Sequence, residues 1–385
     1  MLVLAAVSFL TDASSEIIYP LLPIFLTTVL GAGASAVGAI EGAAETTSAL
    51  LKLASGWWSD RVSRRKPLVV AGYSLASLAR PLIAFAQSAT HVLLIRLTDR
   101  VGKGVRGAPR DALIAESVDP SIRGRAFGFH RSADHAGAVV GPLIAFALLQ
   151  WQHIELRTVF LLAAIPGVLS VLVLVLGVRE TPRAPLMPTA AAAASPLRGV
   201  ALGRQFWTFM ASIFLFTLGN STDAFLILRA NQLGVSVALI PVLWAALHVV
   251  KSAASVPGGA LSDRFGRKPL IFAGWATYAA VYFAFGIATQ AWHAWALFLA
   301  YGVFFGLTEG SERAMVADLV GSERRGTAFG WYNLAIGIGA LPASLIFGFI
   351  WDRMGPAAAF NTGAVLAVAA AAVLVAVRSP AEAPA

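Results

Sequence analysis

Long apolar runs recur along the chain, broken by glycine, proline and short basic clusters. Each run is close to the ~20 residues that a helix needs to cross ~30 Å of hydrocarbon. Twelve such segments are read, over residues 2–30, 36–59, 67–88, 91–118, 124–150, 157–178, 205–231, 237–261, 269–289, 293–320, 326–351 and 356–377. Backbone groups in lipid have to be satisfied within their own segment, so the runs predict helices. A membrane β-barrel would instead show short alternating segments. Between the sixth and seventh runs the chain turns rich in Pro and Ala and carries Arg179, Arg183, Arg198 and Arg204, the pattern of a linker. The expected organisation is a six-helix bundle over 1–178, a cytoplasmic linker over 179–204, a second six-helix bundle over 205–378 and a tail over 379–385.

Composition agrees with this pattern. The chain is 58% hydrophobic and 13% charged, against roughly 45–50% and 25% for a soluble domain. It has no cysteine, which excludes disulfide, zinc-thiolate and iron–sulfur chemistry. The net charge of +9 would suit nucleic acid, but the basic residues sit in the short loops between spans. One side of the membrane receives Arg61, Arg64, Arg65, Lys66, Arg123, Arg125, the linker arginines, Arg264, Arg267, Lys268, Arg324, Arg325 and Arg378. The other receives little beyond Arg157, Arg229 and Arg353. That asymmetry predicts a multi-pass protein of a bacterial-type cytoplasmic (inner) membrane with both termini in the cytoplasm. The first span, which starts at Met1, is expected to serve as the insertion signal.

The halves repeat each other. Lys66-Pro67-Leu68 matches Lys268-Pro269-Leu270, and at the same offset Glu116 matches Asp318 and Arg123-Gly124 matches Arg325-Gly326. Repeated halves around a midplane site are a transporter plan. Polar residues inside the spans supply candidate chemistry. In span four Arg96, Asp99, Arg100, Lys103, Arg106, Arg110 and Asp111 fall within about 80° of one direction at ~100° per residue. Each such charge facing lipid at the midplane would cost ~2.5–3.5 kcal/mol, so the stripe must face water or partner charges. Span one offers Asp12, Ser15, Glu16 and Tyr19, and span two Glu41, Glu45, Ser48 and Lys52. Span five has Arg131, Asp134 and His135, span seven Asn220 and Asp223, span eight His248, Lys251 and Ser252, and span ten Glu309, Glu312 and Arg313.

Arginine's planar fork suits a carboxylate or phosphate, which makes Arg96, Arg100 and Lys103 candidates for a substrate's negative group. Asp12, Glu16, Tyr19, Asn220, Asp223, Lys251 and Glu309 complete the substrate-binding set. Asp134 leads the proton-coupling candidates because Arg131 and His135 share its helix face, with Asp12, Glu16 and Asp223 beside it. In the competing account Arg100 pairs permanently with Asp12 or Glu16 and never meets substrate. No glycine-rich phosphate loop points to ATP, no hydrolytic triad to an enzyme, and no repeated histidine spacing to a metal. No cofactor is expected.

The loop Gly259-Ala260-Leu261-Ser262-Asp263-Arg264-Phe265-Gly266-Arg267-Lys268 resembles the signature loop of the major facilitator superfamily, and Gly56-Trp57-Trp58-Ser59-Asp60-Arg61 through Lys66 repeats it with one extra residue and without the second glycine. The resemblance covers essentially the whole chain. It implies an all-α membrane protein of twelve transmembrane helices in two pseudo-symmetric six-helix bundles. It also implies an interdomain latch built from Gly56, Asp60, Arg61 and Glu116, with Gly259, Asp263, Arg264, Arg267 and Asp318 in the second half. Gly128, Gly137, Gly141-Pro142 and Ala145 in span five resemble the family's antiporter motif, with Ala145 in place of the last glycine. Arg100-x3-Gly104 loosely resembles its span-four arginine motif, tied to proton coupling. The resulting expectation is a monomeric, proton-coupled secondary transporter working by alternating access in the lipid bilayer. Its cargo is a polar, anionic or zwitterionic small organic molecule, with export by proton antiport favoured. Proton symport uptake of an organic acid or metal chelate is the alternative, and a non-transporting receptor or lipid-handling protein is the alternative of another class.

Overall fold

A computed structural model describes residues 1–59, 62–117, 123–180, 202–320 and 325–377. These residues form twelve helical runs and no strand. In the first half they are α1 (Leu2–Val29), α2 (Ala34–Ser59), α3 (Lys66–Phe85), α4 (Ala89–Glu116), α5 (Arg123–Gln150) and α6 (Leu156–Gly177). In the second they are α7 (Arg204–Gln232), α8 (Ile240–Phe265), α9 (Arg267–Ile287), α10 (Ala291–Asp318), α11 (Arg325–Met354) and α12 (Pro356–Val375). Ten of the described runs are long and apolar enough to cross a membrane. The other two, α2 and α4, have the length, at 26 and 28 residues, but are not among the apolar ten. They are the helices on which the sequence concentrates Glu41, Glu45 and Lys52, and the basic stripe.

Contacts divide the chain into two compact units, Met1–Met187 with Val235–Ala245, and Pro188–Gly234 with Ala246–Ala385. In the first, α1 packs chiefly on α5, and α4 packs on both α2 and α3. The α4 contacts are close because small residues stand at the crossings. A Cβ on Gly102 would lie 2.6 Å from the Gly72 carbonyl, and one on Gly104 would lie 2.5 Å from Leu51 Cβ. Ser55 Oγ then donates to the Gly104 carbonyl at 2.8 Å. A substantial side chain at either glycine would push the charged helix off its partners.

In the second unit α9 packs on α10 and α12, and α7 on α11 and α12. The core is aromatic. Phe216 stacks on Trp275 with centroids 4.6 Å apart, and Tyr278 on Tyr282 at 4.1 Å. Buried tyrosines need a partner for the hydroxyl. Tyr278 donates to the Gly219 carbonyl at 2.9 Å, and Tyr301 donates to Asp223 at 2.6 Å. Both acceptors lie at an interruption of α7 over residues 220–223, between Arg204–Gly219 and Ala224–Gln232. The carbonyl freed by the break is thereby satisfied. In α1 the regular helix Leu2–Ile18 likewise gives way to a tighter turn at Tyr19–Leu21, where Pro20 removes a donor, and a wider one at Phe25–Val29.

The internal repeat is visible in the packing. Gln87 N donates to His91 Nδ1 at the start of α4, and Thr289 N donates to His293 Nδ1 at the start of α10, each at 3.3 Å. Lys66 Nζ caps the end of α6 by donating to the Val175 and Val178 carbonyls at 2.8 and 2.6 Å, as Lys268 Nζ caps the end of α12 at the Val375 carbonyl at 2.9 Å. A cation there also meets the negative end of the helix dipole. At the offset carrying Lys66 onto Lys268, Arg80 and Asp99 correspond to Tyr282 and Tyr301. The first pair is a buried ion pair at 2.8 Å, and the second is two rings with centroids 6.4 Å apart. The same two positions face each other in both units, and only the chemistry differs.

Candidate functional site

The first unit gathers most of its intramembrane charge around α4. Arg96 sits one turn from Arg100 and two from Lys103 along one face, as the helical spacing requires. Its fork is held by Glu41 of α2, with Nε to Oε1 at 3.0 Å and NH2 to Oε2 at 2.6 Å. Its NH1 lies 3.5 Å from Asp99, whose other oxygen accepts from Arg80 Nε at 2.8 Å. Arg80 also donates to the Thr11 carbonyl at 3.0 Å, tying the network to α1. Arg80, Arg96, Asp99 and Glu41 are all buried. Two bidentate or shared pairs satisfy nearly every polar atom, which is what makes burial of four charges tolerable.

Over the next two turns pairing thins out, before Arg110 pairs with the adjacent Asp111 at 2.8 Å. Among the described residues Arg100 has one ion-pair contact, to Glu45 at 3.4 Å, and its buried Nε has no hydrogen-bond partner. Glu45 is about half exposed, at 51%. Its partner is therefore on α2, not the Asp12 or Glu16 of the competing account. Lys103 is half-buried, and no hydrogen bond or ion pair involves its ammonium among the described residues. Arg106 lies 4.2 Å from the Tyr73 ring centroid, a cation–π contact that covers one face of the guanidinium.

On α1, Asp12 is half-buried. Glu16 Oε2 accepts from Trp244 Nε1 at 2.8 Å, within the Val235–Ala245 segment that belongs to this unit. Trp244 also packs on Tyr19, with centroids 5.2 Å apart, and Tyr19 lies 5.7 Å below Arg96. The glycines of the antiporter-like segment press on this same stretch. A Cβ on Gly137 would meet the Phe9 carbonyl and Asp12 Cβ, and one on Gly141 would lie 2.5 Å from the Ala13 carbonyl and 3.1 Å from Glu16 Cβ. Asp134, about one turn before Gly137 on α5, accepts a hydrogen bond from Ser8 Oγ and lies 3.6 Å from His130 Nδ1. His135 is half-buried beside it. The Arg131 side chain lies outside the described residues.

The second unit holds a cavity of about 250 Å³. Asn220, Lys251 and Glu309, three of the expected substrate residues, line it together. Phe216, Thr217, Phe304, Phe305, Thr308 and Tyr332 contribute to the remaining wall. Glu312 also lines it, with both oxygens occupied: Trp275 Nε1 donates at 3.0 Å and Tyr332 OH at 2.8 Å. Asp223 does not line the cavity and belongs to the tyrosine cluster instead. Among the described residues no three His, Asp or Glu side chains are grouped as a metal's ligands would be.

Of the latch set, Arg267 and Asp318 come together at 3.3 Å, and Arg267 NH1 also donates to Ser262 Oγ at 3.3 Å. In the first unit Arg65 Nε donates to Ser59 Oγ at 3.1 Å in the equivalent arrangement, a partner role that the motif alone did not single out. Arg264 lies 5.2 Å from the Phe265 ring, and Gly259 is half-buried in α8. Asp60 and Arg61 fall outside the described residues, as do the surroundings of Gly56 and the side chains of Glu116 and Asp263. Sequence reasoning also passed over Arg80, Trp275, Tyr301, Tyr332 and Ser8. Arg80 was the detectable one, since an arginine inside an apolar span is a functional or structural signal by default.

Comparison with known proteins gives the arrangement its context. The Major Facilitator Superfamily profile matches residues 4–250 and 222–385. An uncharacterized MFS-type transporter of Methanocaldococcus jannaschii is 34% identical over 367 residues, covering 94% of this chain and 90% of that one. A multidrug resistance protein of Yersinia pestis, MdtH, is 26% identical over 345 residues, covering 87% of this chain and 82% of that one. In structure, the chain is similar to a bacterial homolog of the human lysosomal transporter Spinster, with a TM-score of 0.77 at 19% identity over 98% of this chain and 95% of that one. With the profile spanning both halves and a relative of this identity along nearly its full length, the chain belongs to the Major Facilitator Superfamily, a family of membrane transporters and not of enzymes.

Proposed function

We propose that this transporter couples export of a polar, anionic or zwitterionic small organic molecule to proton entry, by alternating access of its two six-helix halves. The observation that carries the reading is the loss of pairing from Arg96 to Lys103 on α4. Arg96 is saturated by Glu41 and Asp99, whereas among the described residues Arg100 keeps one 3.4 Å contact and an unpartnered buried Nε, and Lys103 keeps none. Inside a membrane such unsaturated charge is costly unless it serves a ligand or ion. Arg100 and Lys103 therefore receive the cargo's negative group, while Arg96 sets the position of the helix. Export draws support from the multidrug resistance relative and from the contact of Gly137 and Gly141 with the stretch of α1 that holds Asp12 and Glu16. Asp134 is assigned the coupling proton. The Arg267–Asp318 pair is assigned to the latch that alternation opens and closes.

Arg100→Lys tests the substrate assignment. It keeps the charge and loses the fork, and a charged hydrogen bond is worth ~1.5–3 kcal/mol, so binding of the strongest ligand found in a thermal-shift screen should weaken roughly ten- to a hundredfold. The protein should still fold. Unchanged affinity in this variant would make the stripe structural.

The orientation is assigned from the loop charges, with both termini cytoplasmic in an inner membrane and the protein monomeric. The chain lacks cysteine, so single cysteines report cleanly. Those placed at Ser63, and at Ser195 and Ser322 in segments outside the described residues, should react with an impermeant maleimide only from the cytoplasmic side. One at Ala34 should react only from outside. Periplasmic labelling at Ser195 reverses the assignment.

A further inference from the structure

The cavity of the second unit carries both signs of charge by itself. Lys251 Nζ stands 3.8 Å from the centroid of Phe305, and no carboxylate pairs with it among the described residues. Among the described residues Glu309 has only a long contact, to Arg313 on the same helix at 3.6 Å, and both of those side chains are about half exposed, at 48% and 54%. Glu312 differs. It is buried, and Trp275 and Tyr332 occupy both its oxygens, so it forms a fixed wall. The cavity thus offers one loosely held ammonium and one loosely held carboxylate, with Phe216, Phe304 and Phe305 in the same lining.

We propose that this cavity binds a small zwitterion with an apolar or aromatic body. Glu309 receives its ammonium, Lys251 receives its carboxylate, and the phenylalanine rings cover the body. The proposal rests on the transport reading above and narrows its cargo from anionic or zwitterionic to zwitterionic; Lys251 and the Arg100–Lys103 stretch then hold the same carboxylate at different stages of transport. Size narrows it further. At about 250 Å³ the cavity lies below the ~300–1,000 Å³ of drug-sized sites, so the ligand is of amino-acid size. Aromatic rings favour a ligand cation on their faces, and the Lys251 ammonium on Phe305 shows that the wall accepts one. A flexible lysine leaves such a ring easily when a ligand carboxylate offers a stronger partner.

Three probes with one ring separate the charges: L-phenylalanine, phenethylamine and 3-phenylpropionate, each titrated calorimetrically into the purified full chain. L-phenylalanine should bind at least roughly tenfold tighter than either single-charge probe. Lys251→Met should bring L-phenylalanine down to the affinity of phenethylamine and leave phenethylamine unchanged. Glu309→Gln should do the converse with 3-phenylpropionate as the reference. Should Lys251→Met fail to fold, Lys251→Arg is read in its place and should retain the preference for the zwitterion. A single-charge probe that matches L-phenylalanine, equal losses for all three probes in both variants, or no binding of any probe would each overturn the site. Failure here is separable from failure of the transport reading. Proton-driven flux of another compound without probe binding removes only this site, and selective probe binding without proton flux removes only the transport assignment.

Discussion

Arg96→Met should cost the folded protein about 3–5 kcal/mol, the range for stripping one partner from a buried ion pair. The substitution keeps most of the volume but leaves Glu41 buried with no fork opposite it, after the loss of hydrogen bonds at 3.0 and 2.6 Å. Asp99 is better protected, because Arg80 remains at 2.8 Å. The expected readout is a large drop in melting temperature and in the yield of monodisperse protein. Replacing both partners, as Arg96→Met with Glu41→Leu, should recover much of the loss, since a well-packed apolar pair avoids the stranded charge. If the double variant is no more stable than the single one, the Arg96–Glu41 pair is not the term that Arg96→Met removes.

Asp134→Asn should abolish accumulation driven by a pH gradient while substrate exchange continues. The amide preserves the shape of the carboxyl and can still accept from Ser8 Oγ, so folding should survive. It cannot release a proton. Reconstituted protein would be compared in two assays, counterflow at equal pH and uptake against an imposed gradient. Loss of both assays would indicate a structural role for Asp134. Retention of both would move the coupling site to Asp12 or Glu16, which lie on the helix packed against α5.

Much of the fold was legible before any coordinates, for a physical reason. Lipid forces each spanning segment to satisfy its own backbone, so apolar runs report helices almost directly. The charged spans were legible too, although α2 and α4 fail a test of apolarity alone. The break in α7 was harder to see. The run Gly219-Asn220-Ser221-Thr222-Asp223 is a local break signal, but inside a span it reads equally as polar candidate chemistry, and the Tyr278 hydroxyl that satisfies the Gly219 carbonyl is 59 positions away. The candidate site was read half-way for a similar reason. Helical spacing put Arg96, Arg100 and Lys103 on one face, but periodicity on one helix cannot say which charges on another helix meet them. Glu41 takes Arg96 and Glu45 takes Arg100, and this pairing separates a structural arginine from an unsaturated one. Arg80 stands alone among apolar neighbours in span three, and its partner Asp99 lies on the next helix, so no pattern within its own span marks the pair.

The antiport claim is tested most directly in inside-out membrane vesicles whose lumen has been acidified. The probe is the compound that raises the melting temperature most in a screen of organic anions, zwitterions, cations and neutral molecules. It should accumulate in the lumen as protons leave, and a protonophore should prevent this. Accumulation confined to right-side-out vesicles with acid outside, or accumulation indifferent to the protonophore, would contradict proton-driven export.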